Sequence, residues 1–178
     1  MQAMKISSRR EGFVAPRLLA FFAVLALPWL GLGPARAADT AAANAAGWWL
    51  NAAGTAAIVI SPCGNEMCGR IEWLKPPLNE QGQPKTDTKN PNQTLRGRYL
   101  CGLSMLGGFT PDGAGGWKGG WVYDPKVGKT YKAVMHVAPD GTLRLRGYVG
   151  IPMFGRSETM TRPAAPLTPC TPPAGAAG

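Results

Sequence analysis

From Gly119 to Val149, polar and apolar positions alternate in three runs, separated by turn signals at Asp124-Pro125 to Gly128 and at Pro139-Asp140-Gly141. In the middle run Tyr131, Ala133, Met135 and Val137 fall on one face, with Lys132 and His136 on the other. In the third, Leu143, Leu145, Gly147 and Val149 alternate with Arg144, Arg146 and Tyr148. Successive side chains of a strand point to opposite faces, so a period of two with charge on one side predicts a meander with one buried and one wet face. Gly and Asp tolerate the left-handed backbone of tight turns and Pro presets its own φ, so these clusters read as hairpin connections.

The same alternation extends along the chain. Gly47-Trp48-Trp49-Leu50 opens the predicted domain, and Thr55 to Ser61 and Gly69 to Leu74 are strands flanking a hairpin tip. Arg98 to Leu106 reads as a strand in which Tyr99, Cys101, Leu103 and Met105 share a face. Gly107 to Gly116 is a Gly-rich turn, and Gly155 to Arg162 alternates once more. Between these lies Lys75 to Gly97, polar and Pro-rich, with one helical turn expected near Pro91 to Leu95 and Asn90 as its cap. About eight short, evenly spaced strands without an amphipathic helix predict an all-β, eight-stranded antiparallel up-and-down barrel, which removes exposed sheet edges. A β-sandwich is the alternative architecture.

The ends of the chain follow other rules. Residues 1–37 run from a basic stretch through the apolar Leu18 to Gly33 to Ala35-Arg36-Ala37, the order of an export signal cut before Ala38. The apolar run contains Pro28 and is shorter than the roughly 20 residues that span a bilayer. No transmembrane segment is expected after cleavage, and the compartment is periplasmic, or the protein is secreted. Residues 38–46 form an Ala-rich lead-in expected to be disordered, residues 47–162 the barrel domain, and residues 163–178 a mobile Pro/Ala-rich tail.

Removing the leader lowers the charge. Five of the 19 basic residues and one of the ten acids lie within it, leaving 14 against nine and a net of +5. The bases are spread singly, unlike the clustered patch of a nucleic-acid surface, so no nucleic-acid partner is expected. Weak attraction to anionic polymers or lipid head groups is compatible with this balance.

Four cysteines in an exported chain favour disulfides over metal. Cys63 and Cys68 flank a hairpin tip, where a bond would stabilise by roughly 2 kcal/mol in the chain-entropy view. Cys101 with Cys170 is the natural second pair, tying the tail to the barrel, with a buried free thiol at Cys101 as the other outcome. A zinc site would need a second ligand pair, and the sole histidine, His136, lies far along the chain. No metal and no cofactor are expected. A redox switch at Cys63 and Cys68 is a further reading, decided by the potential of the bond.

Several strings then accumulate: Pro62-Cys63, Met67-Cys68-Gly69, Ile71-x-Trp73-Leu74, Asp87-x-x-Asn90-Pro91, Leu95-Arg96-x-Arg98 and Leu100-Cys101-Gly102-Leu103. Trp117-x-Gly119-Gly120, Tyr123-Asp124-Pro125, Gly128-Lys129-x-Tyr131, Leu143-x-x-Arg146-Gly147-Tyr148 and Phe154-Gly155-Arg156 complete the set. As an ordered series over Gly47 to Arg162 it resembles the bacterial exported family called domain of unknown function 2147. That resemblance implies a lipocalin-like barrel outside the cytoplasm and no established activity. Met160 stands where the family commonly has an aromatic residue before its final Thr-Arg. Gly47-x-Trp49 is similar to the G-x-W start of lipocalin-like barrels, in which an Arg from the last strand covers the Trp; Arg162 is placed for that closure.

The candidate sites follow. Trp49, Ile58, Trp73, Tyr99, Met105, Tyr123 and Tyr131 are the expected lining of a small-ligand interior, since eight strands enclose just enough room for side chains or one small molecule. A slip of one residue would invert such a list. Asp87, Asn90, Arg96 and Arg98 are expected to form a polar cluster at one rim, with Asp87 and Arg98 more plausibly a loop clamp than a catalytic pair. There is no metalloprotease motif, no nucleophile elbow and no close carboxylate pair, so no enzyme is expected. The preferred reading is a binder of a small, largely apolar molecule. The alternative is a cell-envelope interaction module that uses residues 75–97 as its contact surface around a filled barrel.

Overall fold

The computed structural model of the protein describes residues 45–172. The expected export signal falls within residues 1–44, which, like residues 173–178, lie outside the described residues. Eight strands follow in chain order: β1 Gly47–Leu50, β2 Ala56–Cys63, β3 Glu66–Leu74, β4 Ser104–Pro111, β5 Gly116–Asp124, β6 Lys129–Val137, β7 Leu143–Tyr148 and β8 Gly155–Met160. Each pairs antiparallel with the next in a single eight-stranded sheet, which rules out the two-sheet sandwich. The sheet curls into a half-barrel. Its first and last strands meet at one bridge rather than along a ladder: Leu50 N–H donates to Thr161 O at 2.8 Å and Thr161 N–H returns to Leu50 O at 3.0 Å.

The β5 to β7 meander carries the register its alternation predicts, with Met135 opposite Leu145 and Lys132 opposite Tyr148. His136 and Lys132 are exposed, and Ala133 and Met135 are buried. One bulge breaks the simple period there. It falls between Trp117 and Gly120, with Gly119 at φ +75°, and keeps both Trp117 and Gly120 buried. The absence of a side chain at Gly120 is required there: a Cβ would sit 2.5 Å from the Phe109 ring.

Trp49, Phe109, Ala133 and Leu143 have no exposed area, and Ile60, Leu103, Leu106, Trp117 and Met135 keep only 1%. A void wide enough for water would leave accessible area on the residues around it. These side chains are packed against one another, the larger ones each contributing roughly 2 kcal/mol by leaving water.

Three expectations are corrected. The strand predicted from Arg98 starts only at Ser104, because Gly102 (φ +82°) turns the chain and Leu103 N–H closes onto Leu100 O. Leu106 therefore faces the core in place of Met105, which is half-buried against its edge. The predicted helical turn is a 3-10 turn at Gln93–Leu95, and its cap is Asn92, not Asn90. The lead-in and the tail are ordered where they touch the barrel: Ala45 is fully buried, and Cys170 N–H donates to Glu72 O at 2.7 Å.

Candidate functional site at the rim

The long connection between β3 and β4 builds two neighbouring features. The first begins with a two-residue ribbon in which Thr86 bridges Tyr99 and Asp87 N–H donates to Arg98 O at 2.9 Å. This pairing sets the side chains of Asp87 and Arg98 against one another. Arg98 donates from Nε and Nη2 to Asp87 Oδ2 at 3.0 and 2.9 Å. Asn90 is brought back by a turn, its N–H on Asp87 O, and its side-chain amide reaches Asp87 Oδ2 at 2.8 Å. From β5 the Tyr123 hydroxyl donates to the carboxylate, 2.7 Å from Oδ1 and 2.9 Å from Oδ2. Arg96 Nε closes the loop onto Asn90 O at 2.8 Å.

Asp87 is fully buried and Asn90 nearly so. Burial, and then the neighbouring Asp87 carboxylate, push the Tyr123 phenol above its usual pKa of 10.0. Tyr, Arg and Asn donors thus converge on the one carboxylate. These contacts join the loop to β5 through the Asp87 carboxylate. Gly128, in the turn after β5, completes the fit: a Cβ there would lie 1.8 Å from Lys89 O.

The second feature is a groove of about 410 Å³ at the end of β3. β4 pairs with β3 only as far as Arg70, so the β3 edge from Glu72 onward is free, and the tail takes that place through Cys170. The Cys101–Cys170 bond fixes it there across 69 residues; the other bond, Cys63–Cys68, spans five. In the chain-entropy view they stabilise by about 4 and about 2 kcal/mol. Trp73, Leu74, Pro77, Leu78, Pro84 and Tyr99 form the apolar walls, with Lys85, Thr168 and Thr171 supplying polarity. Among the described residues no carboxylate lies within 4.0 Å of the half-buried Lys85.

The seven residues expected to line one interior are thus divided. Trp49, Ile58 and Tyr123 are buried in the packed core, Trp73 and Tyr99 meet in the rim groove, and Met105 and Tyr131 are half-buried. Leu78, Pro84, Lys85 and Thr168 were missed, since nothing local in a Pro-rich loop and tail signals that they meet. At the end of β8, Arg162 lies 3.7 Å from the Trp49 ring centre and donates to Ala46 O at 2.8 Å and Trp48 O at 3.2 Å. Trp49 Nε1 donates to Ala45 O at 2.7 Å. Among the described residues no group of three His, Cys, Asp or Glu side chains is arranged to hold a metal ion, and no helix is long and apolar enough to cross a membrane.

The eight-stranded up-and-down half-barrel, with an Arg-covered Trp beside the strand seam, is a lipocalin-like fold. A solved structure shares that fold: the Helicobacter pylori protein HP1028, described as belonging to the lipocalin family, superposes with a TM-score of 0.57 at 21% identity, over 67% of this chain and 83% of that one. The chain belongs to the bacterial family described as "Uncharacterized protein conserved in bacteria (DUF2147)", whose profile matches residues 47–162. No curated protein matches it.

Proposed function

We propose that this protein binds a small, largely apolar molecule outside the cytoplasm, without catalysing a reaction, and that it does so in the rim groove rather than inside the barrel. The observation that carries this reading is the groove itself: about 410 Å³ walled by Trp73, Tyr99, Leu74, Leu78 and prolines. That size and lining are those of ligand pockets, which are mostly apolar with a few polar groups that orient the guest. The lone ammonium of Lys85 favours a guest with an anionic end. Two disulfides are the chemistry of an oxidising compartment, in keeping with a periplasmic or secreted protein.

Native mass spectrometry of protein purified from its own envelope, followed by titration with dodecanoate, tests the proposal. Expected results are a retained small molecule and a tryptophan fluorescence change that disappears in Trp73→Phe. Protein that carries nothing, together with a dodecanoate response unaltered by Trp73→Phe and Tyr99→Ala, overturns it. The interaction-module reading rests on the exposed Leu78 and Leu95 of the same loop. It predicts instead that Leu95→Ser abolishes capture of an envelope protein and leaves dodecanoate binding intact.

A further inference from the structure

The connection from β7 to β8 inverts the usual distribution of polarity. Within six residues Val149, Ile151, Met153 and Phe154 are 69%, 52%, 76% and 72% exposed. Soluble monomers seldom display contiguous large apolar side chains unless these meet a partner or a membrane. The loop is also built to hold this shape. Arg146 reaches into it from β7, Nε on Pro152 O at 2.6 Å, Nη2 on Met153 O at 3.0 Å and Nη1 on Ser157 Oγ at 3.0 Å. A 3-10 turn at Pro152–Phe154 presents the last two apolar side chains.

The charges nearest the loop are mainly basic: Arg146 and Arg156 flank it, with Glu158 the first acid beyond, and Asp124 is the one acid of the turn after β5, where its carboxylate accepts from Lys126 N–H. The register of β6 on β7 places Lys132 opposite Tyr148, so the loop projects alongside the start of β6 at Lys129. There the turn after β5 exposes a further apolar residue, Val127, at 50%, between Lys126 and Lys129.

We propose that this end of the protein docks on an anionic phospholipid bilayer. Met153, Phe154, Ile151 and Val149 enter the boundary between head groups and acyl chains, while Arg156, Lys126 and Lys129 meet the phosphates. Apolar side chains ringed by Lys and Arg are the composition that binds such surfaces, through buried apolar area plus attraction to anionic head groups. A single shallow loop predicts reversible, salt-sensitive binding.

Vesicle flotation tests this with the purified disulfide-bonded protein. The vesicles are phosphatidylglycerol with phosphatidylethanolamine, or phosphatidylcholine alone, each at low and high salt. The wild type is expected to float with the anionic vesicles and tenfold or more weakly with the neutral ones. Met153→Ser with Phe154→Ser should reduce anionic binding about tenfold or more. Both side chains are solvent-facing, so an unchanged thermal midpoint shows that the fold persists. Lys126→Glu with Lys129→Glu should remove most of the salt-sensitive part. No flotation of the wild type, or flotation indifferent to the Met153/Phe154 pair, overturns the proposal. So does sedimentation equilibrium showing a dimer that the same pair abolishes while vesicle binding is absent, because the patch would then be covered by a second copy.

Discussion

Two arginines fasten opposite ends of this fold by different physics. Arg162, where β8 ends, lies on the Trp49 indole and donates to main-chain carbonyls. Arg98, beside the turn that follows β5, meets the buried carboxylate of Asp87. The first contact rests on a ring already buried for hydrophobic reasons, and burial pulls the guanidinium pKa down. The second places a charge in the interior, which is tolerable only while every donor around it stays in position. One end should therefore tolerate the loss of its arginine, and the other should fail when a single partner is removed.

The largest effect is expected where the ring itself is lost. Trp49→Ala should cost about 3–5 kcal/mol in urea unfolding, as for a fully buried Trp. Asp87→Ala should follow at about 3 kcal/mol, leaving Arg98, Asn90 and Tyr123 without their shared acceptor. Hydrogen exchange would sharpen the contrast: protection should vanish from residues 85–100 in Asp87→Ala while β7 and β8 keep theirs. Equal loss of protection in both regions would show that the two ends are one cooperative unit.

Tyr123→Phe should cost about 2 kcal/mol, the net worth of a hydrogen bond to a charged group. It also makes a pH prediction. The folded phenol ionises above its ordinary 10.0. Its stabilisation is therefore complete below about pH 10 and is lost as pH rises through the folded value. Thermal melts should show this alkaline slope in the wild type and its loss in Tyr123→Phe. The smallest effect is expected for Arg162→Gln, about 1 kcal/mol, since the indole stays buried beneath. A cost above that of Asp87→Ala would reverse the comparison.

The wall of the barrel was legible because alternation acts locally: each inward residue of β6 and β7 follows from its neighbours two positions away. The family resemblance over Gly47 to Arg162 was likewise readable, and the profile match covers the same residues. The rim was legible only in fragments. Asp87, Asn90, Arg96 and Arg98 could be grouped because they lie within a dozen residues of each other, but the fifth member, Tyr123, is 36 residues from Asp87 and is brought in by β5. Alternation also misled from Tyr99 to Met105, where Gly102 resets the chain direction and moves the inward position to Leu106. The groove depends on a tail that reads as linker and becomes a wall only through Cys170.

That last bond also sets an order of events during biosynthesis. Cys63 and Cys68 sit five residues apart on one hairpin and can join without waiting for the rest of the sheet. Cys170 is made after all eight strands, so the long crosslink can lock only a chain whose sheet has had the chance to curl. Premature termination after Met160 would leave a full set of strands, an orphan thiol at Cys101 and no seal over β3, a product that thiol-reactive mass tagging would distinguish from the finished molecule.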